Sequence, residues 1–198
     1  MKRKIIFATG NEHKMTEIRQ ILGDLGWEIQ SMREAGIAVN IVEDGATFEE
    51  NALIKAKAVA ACCDDIVLAD DSGLEIDYLN KEPGIYSSRY AGEDTSYDIK
   101  NQMLLDRLRG VPREQRTARF VCAVAAVVPG QEPMVVRGTI EGYIGETPAG
   151  ENGFGYDPIF YVEDLNCSTA QLSPEEKNAR SHRGNALRLM REKLKKIC

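Results

Sequence analysis

Long apolar runs are missing from this sequence. Nothing in it approaches the ~18 consecutive apolar residues that mark a membrane-spanning helix. The basic start, MKRKIIFATGNEHK, is followed by too short an apolar stretch to serve as the core of a signal peptide. Cysteine is scarce: Cys62, Cys63, Cys122, Cys167 and Cys198 are an odd set, two are adjacent, and none forms a C-x-x-C pair. That pattern is neither a disulfide framework nor a zinc site, and it predicts a reducing, cytoplasmic setting. Positive charge is also in deficit, with 25 Lys and Arg against 31 Asp and Glu and a net charge of −6. A general nucleic-acid binder is excluded on that balance, and no feature points to a membrane partner. Repeats, low-complexity tracts and Pro/Gly/Ser linkers are absent, so residues 1–198 read as a single domain.

What is present is ordinary globular composition, 43% apolar and 28% charged. A chain of 198 residues buries roughly 70% of its unfolded surface and needs no staple. Charge is uneven: residues 171–198 carry +5 and the remainder −11. This stretch is either a basic amphipathic helix with a solvated face or a cationic wall for an anionic ligand.

Hydrophobic periodicity places a strand at 4–8, then a helix with Met15, Ile18, Ile21 and Leu22 on one face, closed by Gly23. Thr47-Phe48-Glu49-Glu50 reads as a capping box opening a helix that runs to about Cys63. A buried-type strand at 66–69 leads into Asp70-Asp71-Ser72-Gly73, read as its end. Thr95-Ser96-Tyr97-Asp98 opens a third helix, ending near Gly110 and Pro112. Strands follow at 119–128 and 134–144, then a glycine-rich loop at 148–158. Ser173-Pro174-Glu175-Glu176 starts a further helix. The alternation predicts an α/β domain (α+β by some schemes) with a mixed sheet and a cleft at the strand ends.

Several clusters could carry chemistry. Thr9-Gly10-Asn11-Glu12-His13-Lys14 passes from a strand to a helix start, whose free N–H groups and positive dipole end suit phosphate. Gly10 permits close approach and Lys14 adds a charge; the bland alternative is an ordinary turn capped by Asn11. Asp70 and Asp71 point to opposite sides of a strand, so one can face a cleft while the other faces away. They are either turn starters or a hard-cation ligand with an activator of water. Glu43 precedes a helix cap and is free to ligate metal, although acids there also complement the dipole. Asn51 and Lys55 share a helix face. Gly153-Phe154-Gly155-Tyr156-Asp157-Pro158 either exposes ring faces for a purine or is a β-turn packed under the sheet. His182, one of two histidines, stands beside Arg183 in the basic region, close in sequence to Lys177.

No activated nucleophile is recognisable: there is no G-x-S-x-G and no cysteine flanked for activation. The remaining parts suit hydrolysis of a nucleoside polyphosphate by water, with a carboxylate taking the proton and Lys/Arg holding phosphates.

The segments FATGNEHKMTEI, VEDGATFEENALIKAKA, LADDSGLEIDYLNKEPGIYSSRYAGE, GENGFGYDPIFYV and LSPEEKNARSHRGNAL stand in this order from end to end. Together they resemble the inosine/xanthosine triphosphate pyrophosphatase family. The resemblance implies Mg²⁺-dependent conversion of ITP, dITP and XTP to the monophosphate and pyrophosphate. It implies a homodimer whose elongated mixed β-sheet, flanked by helices, forms two lobes around a central nucleotide cleft. It also implies residue roles. Thr9 to Lys14 would hold phosphates, and Lys55 and Arg89 would face the polyphosphate. Glu43 and Asp71 would bind Mg²⁺, with Asp71 the proton acceptor, Asp70 its support and Ser72 touching the substrate. Phe154, Gly155, Tyr156 and Asp157 would form the base pocket, Phe154 stacking, completed by Lys177, His182 and Arg183, the last two near the 6-oxo group. A pyrimidine-preferring pyrophosphatase and a nucleotide-sensing module are the alternatives.

Overall fold

The computed structural model describes residues 3–197, which leaves Cys198 outside the described residues. Strand β1 (Lys4–Phe7) hands over to helix α1 (Glu12–Leu22). Asn11 caps that helix, its side chain accepting from the Lys14 N–H, and Met15, Ile18 and Leu22 form the buried stripe. A short strand β2 (Glu28–Ser31) follows. Helix α2 (Phe48–Ala60) starts at Thr47, whose side chain accepts from the Glu50 N–H. The Glu50 carboxylate accepts from the Ala46 N–H and not from Thr47, so the expected capping box is displaced by one residue. The helix also ends before Cys62 and Cys63, which lie in the following turn.

Strand β3 (Ile66–Ile76) is the main departure from expectation. Asp70-Asp71-Ser72-Gly73 does not end the strand; it lies in its middle. Asp, Ser and Gly favour turns locally, but Leu74 and Ile76 are fully buried beyond them, and that burial overrides the local preference. Helix α3 (Tyr97–Arg107), strands β4 (Thr117–Val127) and β5 (Met134–Ile144), short strands β6 (Phe160–Val162) and β7 (Cys167–Ser168), and helices α4 (Pro174–Arg180) and α5 (His182–Ile197) complete the order. The sheet runs β2-β1-β3-β4-β5-β6-β7. β1 is parallel to β2 and β3, while β6 is antiparallel to β5 and β7, so the sheet is mixed as expected.

The chain forms two compact units and crosses between them four times. The first comprises residues 1–71, 122–138 and 182–198; the second comprises 72–121 and 139–181. In the first, α1 packs on α5, and Met15, Ile18 and Leu22 share a core with Leu68, Val124, Leu187, Met190 and Leu194. Each such fully buried aliphatic contributes about 1.5–3 kcal/mol. Gly138 of β5 is required there, because a Cβ would stand 2.4 Å from the Ala186 nitrogen of α5. In the second, Leu74, Ile76, Leu104, Leu108, Phe120, Ile159 and Phe160 form a separate core.

Candidate active site

Strand alternation separates the two aspartates of β3. Asp70 is buried, and the Lys14 ammonium stands 3.1 and 3.0 Å from its two carboxylate oxygens. The Arg183 Nε donates to Asp70 Oδ2 at 3.4 Å, and the Arg183 Nη1 donates to Glu17. Arg183 is 2% exposed, among the largest fully buried side chains. Burial opposes its charge, but Asp70 and Glu17 more than offset that and hold the guanidinium protonated. Two cations and two carboxylates therefore close on each other, as buried charges must. Asp70 is committed to this network.

Asp71 meets a different set. Lys55 Nζ lies 2.9 Å from Glu43 Oε2 and 3.6 Å from Asp71 Oδ1. Asn51, one turn before Lys55 on α2, also bears on Asp71. Burial raises the Asp71 pKa above the ordinary carboxylate value; Lys55 opposes this and the nearby Glu43 adds to it. For a proton acceptor this is the useful direction. Among the described residues no three His, Cys, Asp or Glu side chains are grouped to hold a metal. Glu43 and Asp71 still suit a cation that takes one or two carboxylates and fills its shell with water and phosphate oxygens.

At the start of α1, Thr9 Oγ1 accepts from the Asn11 N–H at 3.1 Å and Asn11 Oδ1 accepts from the Lys14 N–H at 3.2 Å. Gly10, Glu12 and His13 are exposed. A Cβ on Gly10 would meet nothing within 4 Å. Packing within the protein therefore does not demand glycine there. Gly10→Ala is expected to leave the melting temperature within about 2 °C while lowering kcat/KM for a nucleoside triphosphate by about tenfold or more, the signature of a lost close approach. Thermal melts and steady-state kinetics on one preparation check both halves.

In the second unit, the aromatic loop is clasped by its own aspartate. Asp157 Oδ2 accepts from the Phe154 N–H at 2.9 Å and from Lys177 Nζ at 2.7 Å, and Oδ1 accepts from Thr169 Oγ1 at 2.8 Å. Gly153 has φ +76°, and a Cβ there would fall 2.2 Å from Asp157 Oδ2. The half-buried Phe154 ring has Lys177 Nζ 4.8 Å from its centroid. The buried Tyr156 donates its hydroxyl proton to the Ser87 carbonyl at 2.6 Å, and its ring meets that of Tyr97 edge-on at 5.2 Å. Asn101 Nδ2 donates to the Gly155 carbonyl at 3.1 Å. The Arg89 guanidinium lies over the Tyr86 ring, 4.9 Å from its centroid. Ser72 is half-buried on β3, and His182 is buried at the first position of α5.

Thr9 to Lys14, Glu43, Lys55, Asp70, Asp71, His182 and Arg183 all belong to the first unit. Ser72, Arg89, Phe154, Gly155, Tyr156, Asp157 and Lys177 belong to the second. Within the first unit, Arg183 is tied to Asp70 and Glu17. Sequence reasoning did not single out Glu17, Thr169 or Asn101. Glu17 had one available signal, a position one turn after Lys14 on the same helix.

The Ham1 family model matches residues 5–193. A dITP/XTP pyrophosphatase of Bacillus subtilis is 49% identical over 186 residues, 94% of each chain. One from Clostridium perfringens is 45% identical over 201 aligned positions, 98% of each chain. The structure of the Staphylococcus aureus Ham1 protein superposes with a TM-score of 0.89 at 42% identity, covering 99% of this chain and all of that one. A HAM1 protein from Coxiella burnetii gives 0.88 at 40% identity, covering 98% of this chain and 99% of that one. Family model, sequence relatives and solved structures agree along nearly the whole chain, which belongs to the Ham1 family.

Proposed function

We propose that this protein is a nucleoside triphosphate pyrophosphatase that hydrolyses non-standard purine nucleotides, specifically ITP, dITP and XTP, to the monophosphate and pyrophosphate, with Mg²⁺ as the working cation. The observation that carries the reading is the division of labour on β3. Asp70 is locked between Lys14 and Arg183, while Asp71 keeps a raised pKa beside Lys55 and Glu43. The names of the sequence relatives support the substrate class.

Glu43 and Asp71 are assigned to hold the cation. A bound Mg²⁺ would offset the negative charge of the phosphate oxygens. Asp71 takes the proton of the water that attacks the α-phosphorus, and pyrophosphate leaves as one unit. The N–H groups at the start of α1 and the ammonium groups of Lys14 and Lys55 hold the phosphates. Asp70 is assigned to orienting Lys14, and Ser72 and Arg89 to the substrate's polar groups.

Base recognition is a separate assignment. Phe154 offers a ring to stack on a purine, with Gly155, Tyr156, Asp157 and Lys177 building the support beneath it. The 6-oxo contact is assigned to His182 and Arg183, and Arg183 also holds Asp70. A site of donors favours a 6-oxo purine, because adenine would leave them unpaired at roughly 1–3 kcal/mol per buried group. The proposal extends to a cytoplasmic homodimer; Cys62, Cys63, Cys122 and Cys167 form no disulfide, which is compatible with a reducing compartment.

The test is separate assay of phosphate and pyrophosphate release from ITP, dITP, XTP, GTP, ATP, CTP and UTP, with and without Mg²⁺. Pyrophosphate from the first three, with little from the rest and none without the ion, is the expected result. Orthophosphate would move attack to the γ-phosphorus and break the assignment of Asp71. Pyrophosphate mainly from CTP or UTP would keep the acidic site and overturn the base assignment.

A further inference from the structure

Asn51 is buried completely on α2, one turn before Lys55, and the reaction as described gives it nothing to do. Its Oδ1 accepts from the Gly45 N–H at 2.9 Å. Gly45 is two residues from Glu43 in the loop that leads into α2. The contact leaves no space: a Cβ on Gly45 would stand 2.7 Å from Asn51 Oδ1 and 2.8 Å from Glu50 Cβ. Loop and helix are thus fitted to each other at this point, with the Ala46 N–H donating to Glu50 at 2.6 Å as a second pin.

The other end of the carboxamide points to the second carboxylate. Asn51 Nδ2 is buried and makes no fully formed hydrogen bond. It is nonetheless near enough to the Asp71 carboxylate to favour its charged form. A buried donor left without a full bond costs stability, so folding alone does not call for a carboxamide here. One side chain therefore bears on the loop of Glu43 through its oxygen and on Asp71 through its nitrogen. Lys55 supplies the positive charge between the two acids; Asn51 carries no charge and supplies only geometry.

We propose that Asn51 is a positioning residue that fixes the spacing of Glu43 and Asp71 and thereby sets the affinity of this carboxylate pair for a divalent cation. The proposal rests on the assignment of Glu43 and Asp71 as the Mg²⁺ ligands. Groups that orient metal ligands from behind change metal affinity by roughly 10–100-fold when removed.

The experiment is a titration with Mn²⁺ alone, without nucleotide, followed by electron paramagnetic resonance of the free ion. The proteins are wild type, Asn51→Ala, Gly45→Ala and Glu43→Gln. Asn51→Ala and Gly45→Ala are each expected to raise the Mn²⁺ Kd by about 10–100-fold, and Glu43→Gln by at least as much. In kinetics, saturating Mg²⁺ should restore most of the kcat of Asn51→Ala, because the ligands themselves remain. Asn51→Asp keeps the acceptor for Gly45 and should retain more Mn²⁺ affinity than Asn51→Ala. A Kd within twofold of wild type for Asn51→Ala and Gly45→Ala, with Glu43→Gln impaired, would overturn the role of Asn51 and leave the ligand assignment standing. An unchanged Kd for Glu43→Gln would overturn the ligand assignment and this proposal with it. Should Asn51→Ala fail to fold, Gly45→Ala decides the matter, since it displaces the same loop and leaves the carboxamide in place.

Discussion

Asp71→Asn is expected to lower kcat by about 10²–10⁴-fold, the usual contribution of a general base, without unfolding the protein. The asparagine is nearly isosteric with the aspartate it replaces. Asp71 serves two proposed ends, proton acceptor and metal ligand, and the assay must separate them. Raising Mg²⁺ to saturation compensates a weakened ligand but not a missing base. The loss should therefore persist at saturating ion. It should shrink as pH rises, because hydroxide then replaces the water that needs deprotonation. A variant that keeps more than about a tenth of the wild-type kcat would remove Asp71 from the base role, given the 10²-fold minimum usual for such groups. A variant recovered fully by Mg²⁺ would leave it a ligand only.

Arg183→Met should act first on stability. The substitution takes one cation from a buried group of Arg183, Asp70, Glu17 and Lys14, leaving two carboxylates against one ammonium. Breaking a buried ion pair from one side costs about 3–5 kcal/mol, because the stranded charge stays behind. With side-chain exposures of 2% for Arg183 and 0% for Asp70, solvent does little to soften it. Urea denaturation should show the loss as a lower midpoint at unchanged slope. The companion variant Arg183→Met with Glu17→Gln restores charge balance and should recover part of the loss. If Arg183→Met alone is as stable as wild type, the network contributes nothing to stability.

Much of this architecture was legible from residue spacing. Met15, Ile18 and Leu22 mark α1, Ser173 with Glu176 marks the start of α4 through a complete capping box, and the alternation of 134–144 marks β5 to the residue. What escaped did so for identifiable reasons. β2 (Glu28–Ser31) is mostly polar because it is an edge strand, and β7 is only two residues long; both exist through their neighbours. Asp70 to Gly73 carries turn chemistry in a strand whose far end, Leu74 and Ile76, is held by burial. The candidate site divides the same way. Asp70, Asp71, Glu43 and Lys55 stand out as residue types in suggestive places. The partner chosen by each cation does not. Nothing local tells Arg183 to face Glu17, 166 positions away in sequence. Asn51 was visible as a polar residue sharing a face with Lys55, but only the fold shows that its oxygen meets Gly45.

The fourfold crossing between units has a consequence for the making of the protein. The core shared by α1 and α5 joins residues far apart along the chain. A nascent chain carries Met15, Ile18 and Leu22 out of the ribosome long before Leu187, Met190 and Leu194 exist to cover them. A copy truncated before α5 would keep that apolar stripe bare and would lack Arg183, the counter-charge of Asp70. Such fragments should be targets for chaperones and proteases, so that survival of the first unit in the cell depends on α5.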